Sequence, residues 1–290
     1  MKFVISNYSS ETNTEPYYFN AGINLIESHK SILWNRNEHS LYDIFDHAKP
    51  DVFICDATQI PQELPIYVGE NGGPEVVINI TKLTNEQIHK IESFLKEKNV
   101  KVPFFFTNGH EKIQGFKTKI VNISWGADIF LNTDKQIEYN IDTCYLVDDK
   151  SQIVDIENKT YHYICNAKNA NIGEDASIPI FNMASLYKNY ANIILKYYSK
   201  ILPQAFFDSV YYSNNVAYEL EDKENQNSAE NLTRKVLKIE SEELNFDEIK
   251  SKVQTKHTCL NRIKSLLSQF PDQQGLNSID LIIEKYRKAK

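Results

Sequence analysis

The sequence predicts an α/β protein built of two open, doubly wound domains. Short apolar runs typical of buried strands alternate with amphipathic helical patterns along most of the 290 residues. This alternation is interrupted once, by the polar and weakly patterned stretch 131–140. At roughly 100–200 residues per domain, a chain of this length corresponds to about two domains.

The first half of the chain has the strand–helix rhythm of a parallel sheet. Its predicted strands are Lys2–Ser6, Ser31–Trp34, Asp51–Cys55, Val76–Ile80, Val102–Phe106 and Lys119–Ile123. Its predicted helices are Tyr17–Ser28, Leu41–Ala48 and Asn85–Glu97. Thr84 and Gln87 have the spacing of a capping box before the third helix. We therefore expect residues 1–130 to form an N-terminal Rossmann-like domain.

The second half repeats the same style without repeating the sequence. Its predicted strands are Thr143–Val147, Tyr161–Cys165, Ala191–Leu195 and Val216–Glu219. Its predicted helices are Met183–Tyr190, Gln204–Tyr212, Asn245–Leu267 and Ser278–Lys288. The acidic, polar run Glu221–Glu230 is predicted to be a loop. We expect residues 141–270 to form a second, shortened Rossmann-like domain, followed by a terminal helical segment over 271–290.

Composition disfavours several classes of function. The chain has 32 basic and 39 acidic residues, a net charge of −7, which disfavours a nucleic-acid partner. No apolar run approaches the roughly 18 residues of a membrane-spanning helix, and the short apolar N-terminus is not typical of a signal peptide. The four cysteines lack metal-ligand or redox spacing, so we expect buried free thiols, no bound metal and a cytoplasmic location.

One candidate site lies at the start of a predicted helix in the second half. Pro203 and Gln204 introduce this helix, and Phe207 and Asp208 follow about one turn later. The first turn of a helix offers free N–H groups to a phosphate, and a carboxylate nearby can accept hydrogen bonds from a ribose. The alternative is an ordinary helix whose Asp208 stabilises its own N-terminus.

A second candidate site is the loop edge of the first domain, because ligands of open α/β sheets bind outside the carboxyl ends of the strands. Ser9, Asp56, Asn108 and His110 follow predicted strands there. We predict that Asp56 orients an acceptor hydroxyl and that His110 contacts the ligand or transfers a proton. Ordinary surface-loop residues are the alternative, and the glycine-rich stretch Glu70–Gly73 is predicted to be a flexible turn.

Four segments resemble, in order over roughly residues 1–270, a family of glycosyltransferases. They contain Ser124-Trp125-Gly126-Ala127-Asp128, the run Met183–Leu195, Leu202-Pro203-Gln204 with Phe207-Asp208, and Lys256-His257-Thr258 with Arg262. The chain resembles the retaining GT-B glycosyltransferases, in particular the spore-maturation CgeB-like and glycosyltransferase group 1-like proteins.

The resemblance implies a fold and an activity. It implies two Rossmann-like domains facing each other across a cleft, with the segment 271–290 crossing back to the N-terminal domain. It also implies hexosyl transfer from a nucleotide-sugar donor, which serves as co-substrate without a metal or other cofactor, and retention of configuration at the sugar. The second domain would bind the donor, and the N-terminal domain would bind a glycan, a protein or a modified DNA base as acceptor.

The resemblance also gives His257 and Arg262 a place near the cleft, although a helix that only holds the domains together would explain both residues as well. Three departures favour a second hypothesis. Ala205 stands where the family has an arginine, Asn214-Asn215 stand where a glycine pair is common, and the region 148–158 replaces a longer helix. The chain could accordingly be a degenerate, catalytically inactive GT-B-fold module used for binding or structure.

Overall fold

The structure is a computed structural model, and it divides the chain into two compact units. Unit 1 consists of Met1–Ser9, Glu15–Ser124 and Ile263–Lys290, and unit 2 consists of Ser10–Thr14 and Trp125–Arg262. The structure describes residues 1–8, 14–81, 83–109, 113–131, 143–147, 162–165, 168–172, 176–177, 192–196, 202, 204–213, 216–218, 223–241 and 243–288.

The unit boundaries differ from the domain limits expected from the sequence. Apart from the short segment Ser10–Thr14, the chain passes from unit 1 to unit 2 at Ser124–Trp125, ahead of the polar stretch 131–140. The reason is a backbone pairing: Ala127 forms a parallel bridge with Thr258, so the residues after Ser124 pack with unit 2. The last change of unit lies at Ile263, eight residues before the expected segment 271–290.

Unit 1 contains one parallel sheet of six strands in the order β2-β1-β3-β4-β5-β6. The strands are β1 (Lys2–Ser6), β2 (Lys30–Trp34), β3 (Val52–Asp56), β4 (Glu75–Asn79), β5 (Phe104–Thr107) and β6 (Lys119–Asn122). The middle strands are almost wholly apolar because a parallel sheet is covered on both faces. The predicted α/β class and the parallel sheet are thereby confirmed. The chain direction across the sheet reverses at β1, which places the switch point between β1 and β3.

The helices of unit 1 follow the apolar periodicity of the sequence. They are α1 (Glu15–Ile23), α2 (Leu41–Ala48), α3 (Leu64–Asn71) and α4 (Asn85–Glu97). The capping box predicted for Thr84 and Gln87 is present at the start of α4. On one face of the sheet, Phe45 packs edge-on against both Phe53 and Tyr67, so that α2, α3 and β3 are in contact.

The prediction of a flexible turn over Glu70–Gly73 was wrong for its first half. Helix α3 extends through Gly69 to Asn71, with Pro65 in its first turn and with Leu64 and Tyr67 buried. Only Gly72, whose φ of +65° is unfavourable for other residues, ends the helix. The glycine at position 69 obscured a short amphipathic pattern that tertiary burial stabilises.

Unit 2 contains a second six-stranded sheet, in the order β10-β9-β8-β7-β11-β12. The strands are β7 (Thr143–Val147), β8 (His162–Cys165), β9 (Lys168–Ile172), β10 (Ala176–Ser177), β11 (Asn192–Lys196) and β12 (Val216–Tyr218). Four of them are parallel, whereas β9 and β10 form an antiparallel edge that the sequence analysis missed. This sheet also has a switch point, between β7 and β11, because the chain adds strands on both sides of β7.

The described helices of unit 2 are α5 (Gln204–Tyr212), α6 (Lys223–Leu237) and α7 (Phe246–Lys256), with the first residues of α8 (Cys259–Leu267). Two predictions were wrong here. Most of the predicted loop Glu221–Glu230 belongs to α6, whose buried residues Thr233, Val236 and Leu237 lie near its far end. The predicted helix Asn245–Leu267 is interrupted at Thr258, whose hydroxyl accepts from the Asn261 N–H and begins a new helix.

The C-terminal segment of unit 1 comprises the rest of α8 and α9 (Gln273–Lys288). Gly275, Ile279 and Ile283 are the buried residues of α9. In the parts of the chain that the structure describes, no helix has the length and apolar character needed to span a membrane.

Candidate functional site

Helix α5 starts at a position in the fold that favours ligand binding. It follows β11 after a short connection, so its first turn lies on the side of the carboxyl ends of the unit 2 sheet. The neighbouring strand β7 makes this the switch point of the sheet, where open α/β folds bind ligands. The free N–H groups of a helix start at such a point suit a phosphate.

Three predicted site residues on α5 are buried. Gln204, Phe207 and Asp208 are 2%, 0% and 5% exposed. The Asp208 Oδ1 atom accepts a hydrogen bond from the Asp128 backbone N–H, at 2.7 Å. Asp128 in turn lies in the Trp-Gly-Ala-Asp segment that the sequence analysis singled out on other grounds. The contact of Asp208 with a ribose stays a prediction, and the structure gives its carboxyl group a partner within the protein.

The segment that contains His257 joins the same cluster. The His257 carbonyl accepts from the Ala127 N–H at 2.8 Å, and the Cys259 N–H donates to the Ala127 carbonyl at 2.7 Å. The His257 ring stacks on Phe207 of α5, with ring centres 5.8 Å apart. Gly126 is required by this pairing, because a Cβ atom there would lie 2.9 Å from the His257 carbonyl oxygen.

Arg262 is buried beside the same segment. Its guanidinium carbon lies 4.8 Å from the centre of the Trp125 ring, a cation–π contact, and the residue is only 3% exposed. The structure therefore brings Gln204, Phe207, Asp208, His257 and Arg262 into one cluster of unit 2, around residues 125–128. The predicted site residue Pro203 lies outside the described residues.

The electrostatics of this cluster are dominated by two buried carboxyl groups. Burial raises the pKa of Asp208 well above its ordinary value, and the neighbouring Asp128 charge raises it further. Burial also raises the pKa of Asp128, to about 6, although hydrogen bonds from the Thr14 side chain and the Phe130 N–H act in the opposite direction and lower it. The Tyr212 hydroxyl donates to the Asp128 backbone carbonyl at 2.8 Å. Burial raises the pKa of Tyr212, and the nearby Asp208 and Asp128 carboxyl groups raise it further. Burial and the neighbouring Asp128 charge therefore both favour the protonated form of Asp208.

The loop edge of unit 1 is a separate cluster of polar residues. Asp56 ends β3, and its Oδ1 atom accepts from the Thr58 N–H at 2.9 Å and the Thr58 hydroxyl at 2.6 Å. Asn108 follows β5 and is fully buried, and its N–H donates to the Thr81 hydroxyl at 2.9 Å. Asp56 thus caps a 3-10 turn, and its proposed role toward an acceptor stays a prediction. Ser9 and His110 lie outside the described residues.

Sequence analysis missed the most buried carboxylate of that edge, Glu15. This residue begins α1, and its Oε2 atom accepts from the Tyr8 hydroxyl at 2.7 Å and from Asn79 Nδ2 at 2.9 Å. A carboxylate thereby occupies the helix start where open α/β folds often bind phosphate. Negative charge at this point is unfavourable for a nucleotide in unit 1. The available signal was an acidic residue, Glu15, followed by Pro16 immediately before a predicted helix.

Thr14 and Asp128 are the other residues that the structure adds. Thr14 is 1% exposed and hydrogen-bonds both Asp128 and Gln204. Asp128 could have been found from its Gly-Ala-Asp context, whereas nothing in the sequence around Thr14 indicates a contact 190 residues away. Among the described residues, no group of histidine, cysteine and acidic side chains could hold a metal ion.

Comparisons with known proteins find similarity to solved structures but not to protein families. No protein-family model and no curated protein sequence matches this chain. Among solved structures, the chain is similar to CalG4, the calicheamicin glycosyltransferase, with 7% identity and a TM-score of 0.36. The match covers 99% of this chain and 98% of that chain. A TM-score this low establishes neither the fold nor the function of the present protein.

Proposed function

We propose that the protein is a glycosyltransferase that moves a hexose from a nucleotide-sugar donor bound by unit 2. One observation carries this proposal. Three segments that resemble glycosyltransferase motifs, around Asp128, Asp208 and His257, are far apart in the sequence and adjoin in unit 2. Separate chance matches would have no reason to meet at the carboxyl end of one sheet.

The donor is proposed to bind at the first turn of α5. The N–H groups of that turn, together with Arg262 of the same cluster, would stabilise the charge that develops on the departing nucleoside diphosphate. Lys250 of α7 is engaged elsewhere, since its Nζ atom donates to the Ser213 carbonyl at 2.5 Å. We further propose retention of configuration and catalysis without a metal ion.

The acceptor is proposed to bind at the loop edge of unit 1. Glu15 makes the start of α1 unfavourable for a phosphate, which supports the assignment of the nucleotide to unit 2. Asp56 at the end of β3 retains a carboxylate that could orient an acceptor hydroxyl. The acceptor classes are those that the resemblance implies: a glycan, a protein or a modified DNA base.

A binding or structural module is the second candidate, and one observation favours it. Gln204, Phe207 and Asp208 are all buried, and two of them are hydrogen-bonded within the protein. In such a module, these residues would hold unit 2 together without reaching a donor.

A panel of nucleotide sugars separates the two candidates. The full chain is incubated with UDP-, GDP-, ADP- and TDP-sugars, while its melting temperature and the released nucleotide are measured. A true donor at 100 times its Kd stabilises the folded state by about 2.7 kcal/mol, which raises Tm by several degrees. The enzyme proposal predicts such a shift for at least one donor and slow nucleotide release, unaffected by EDTA. If no donor at millimolar concentration changes Tm, the module is the better description.

A further inference from the structure

Thr14 takes part in a reciprocal pair of hydrogen bonds with Gln204, the first residue of α5. The Thr14 N–H donates to Gln204 Oε1 at 3.2 Å, and Gln204 Nε2 donates to Thr14 Oγ1 at 2.6 Å. Both residues are buried, at 1% and 2% exposure. Because water has little access, these bonds constrain the Gln204 side chain more strongly than exposed bonds would.

The Thr14 hydroxyl also closes a ring of contacts. Its single hydrogen is donated to Asp128 Oδ2 at 2.6 Å, while its oxygen accepts from Gln204. Asp128 donates through its N–H to Asp208, which lies one turn after Gln204 on the same helix. The ring therefore runs through Thr14, Asp128, Asp208 and Gln204. A valine at position 14 would preserve the volume and remove both hydroxyl bonds, whereas a serine would preserve both.

We propose that Thr14 is a positioning residue for the donor site on unit 2. This inference rests on the proposed function, because the first turn of α5 is the part of the protein that would hold the donor phosphates. Thr14 holds the side chains of Gln204 and Asp128 by hydrogen bonds. Because Gln204 is the first residue of α5, these bonds fix the position of the first turn. Gln204, which the sequence analysis assigned to the nucleotide, acts in this proposal through Thr14 and not on the donor itself.

The alternative is that the ring contributes only to stability. A hydroxyl that merely stabilises unit 2 would alter the free energy of unfolding, but donor affinity in the fully folded protein would not change. A positioning role predicts a loss of affinity under conditions where every molecule is folded. It also predicts that this loss is reversed when the hydroxyl is restored without the methyl group.

The test uses Thr14→Val and Thr14→Ser in the full chain. Isothermal titration measures the Kd of the nucleotide sugar that gives the largest Tm shift in the panel, and urea denaturation verifies that each variant is folded. Thr14→Val is expected to weaken binding about tenfold, equivalent to about 1.4 kcal/mol, while Thr14→Ser stays within about twofold of the wild type. A folded Thr14→Val that binds the donor as tightly as the wild type overturns the inference.

A second variant keeps the test decisive if Thr14→Val does not fold. Gln204→Met removes the same hydrogen bonds from the other partner and should weaken donor binding by a similar factor. Normal affinity in a folded Gln204→Met protein also overturns the inference. Failure of the proposed function looks different, because in that case the wild type itself binds no nucleotide sugar.

Discussion

At the scale of single residues, the carboxyl groups of Asp128 and Asp208 set the chemistry of unit 2. Both are buried, and a hydrogen bond joins the Asp128 backbone N–H to Asp208 Oδ1. Ionising both groups would place two like charges in a poorly solvated region, so the folded state favours keeping at least one proton. Burial and the Asp128 charge both raise the pKa of Asp208, which favours the proton on that group.

Asp208→Asn should leave the stability of the protein nearly unchanged. Asparagine is uncharged, the state that the raised pKa of Asp208 favours, and it retains an oxygen that can accept from the Asp128 N–H. Asp208→Leu removes this acceptor, leaves a buried N–H without it, and should cost about 1–3 kcal/mol. Urea denaturation at pH 7 compares the two variants. Equal losses for both would show that the negative charge itself is needed.

The same asparagine variant separates the two roles of Asp208 in binding. As a charged ribose ligand, Asp208 would contribute about 1.5–3 kcal/mol, so the variant would weaken donor binding roughly ten- to hundredfold. As an uncharged member of the buried ring, it should leave the donor Kd within about threefold, which is the outcome that the raised pKa favours.

Asp128 should make stability depend on pH in an unusual direction. Its pKa is about 6 in the folded protein against 3.8 ordinarily, so between these values the folded state binds more protons than the unfolded state. The contribution of Asp128 is therefore fully present below the ordinary pKa and is lost as the pH rises through about 6. Asp128→Asn removes this dependence.

The Asp128→Asn variant measures how much the titration of Asp128 changes the stability of the protein. From about pH 4 to pH 7, Asp128→Asn should gain about 2 kcal/mol of stability relative to the wild type, as measured by urea denaturation. Subtracting the wild-type curve cancels the titration of the other acidic residues. A difference that does not change over this range would mean that Asp128 remains ionised in the folded protein at low pH.

At the scale of elements, apolar periodicity predicted most strands and helices, and the misses have physical causes. The residues of α6 read as a solvated loop because Lys223–Glu230 contains one apolar residue, Ala229. The buried residues of the described part of this helix, Thr233, Val236 and Leu237, lie about one to two turns after Glu230. The division between α7 and α8 depends on the Thr258 cap, which an unbroken amphipathic pattern conceals. Helix α3 was missed because Pro65 and Gly69 are typical of turns.

The start of α9 shows a constraint that no periodicity could reveal. His29 Nε2 lies 2.7 Å from Asp272 Oδ2, and Asp272 Oδ1 accepts from the Gly275 N–H at 3.0 Å. His29 is almost fully buried, and its ring packs on Phe3 of β1. The histidine and the aspartate lie far apart in the sequence, at positions 29 and 272. Only the folded chain places this junction against Gly275.

Gly275→Ala should destabilise unit 1, although alanine is the better helix former by about 1 kcal/mol. A Cβ atom at this position would clash with Asp272 Oδ2 and would lie 2.6 Å from His29 Nε2, so these two buried side chains would have to move. We expect a loss of about 1–3 kcal/mol in thermal or urea unfolding. Asn277→Ala, at an exposed position of the same helix, is the matched control and should be neutral or slightly stabilising. Stabilisation by both variants would contradict the proposed crowding.

At the scale of the whole molecule, the chain is two α/β units with a C-terminal segment that belongs to unit 1. The number of units and their sheet-based architecture followed from the alternation of patterns and from length. The unit boundaries did not, because they depend on the pairing of Ala127 with Thr258 and on the burial of α9 residues. Likewise, the residues of α5 were predicted as a site, but their contacts with Thr14 and Asp128 depend on the tertiary structure.

The distribution of tryptophan provides a separate probe for each unit. The chain has two tryptophans, and Trp34 lies in unit 1 whereas Trp125 lies in unit 2. A Trp125→Phe variant therefore reports the unfolding of unit 1 by fluorescence, and a Trp34→Phe variant reports that of unit 2.

Removal of residues 277–290 should weaken unit 1 selectively. The truncation exposes the surface that Ile279 and Ile283 cover, and each buried isoleucine contributes about 1.5–3 kcal/mol. In the Trp125→Phe background, the truncated chain should unfold at clearly lower urea concentration than the full chain, because Trp34 reports on the unit that lost those contacts. In the Trp34→Phe background, the midpoint reported by Trp125 should change little. Equal shifts in both backgrounds would mean that the two units unfold together, and no shift in either would mean that α9 contributes little to the stability of unit 1.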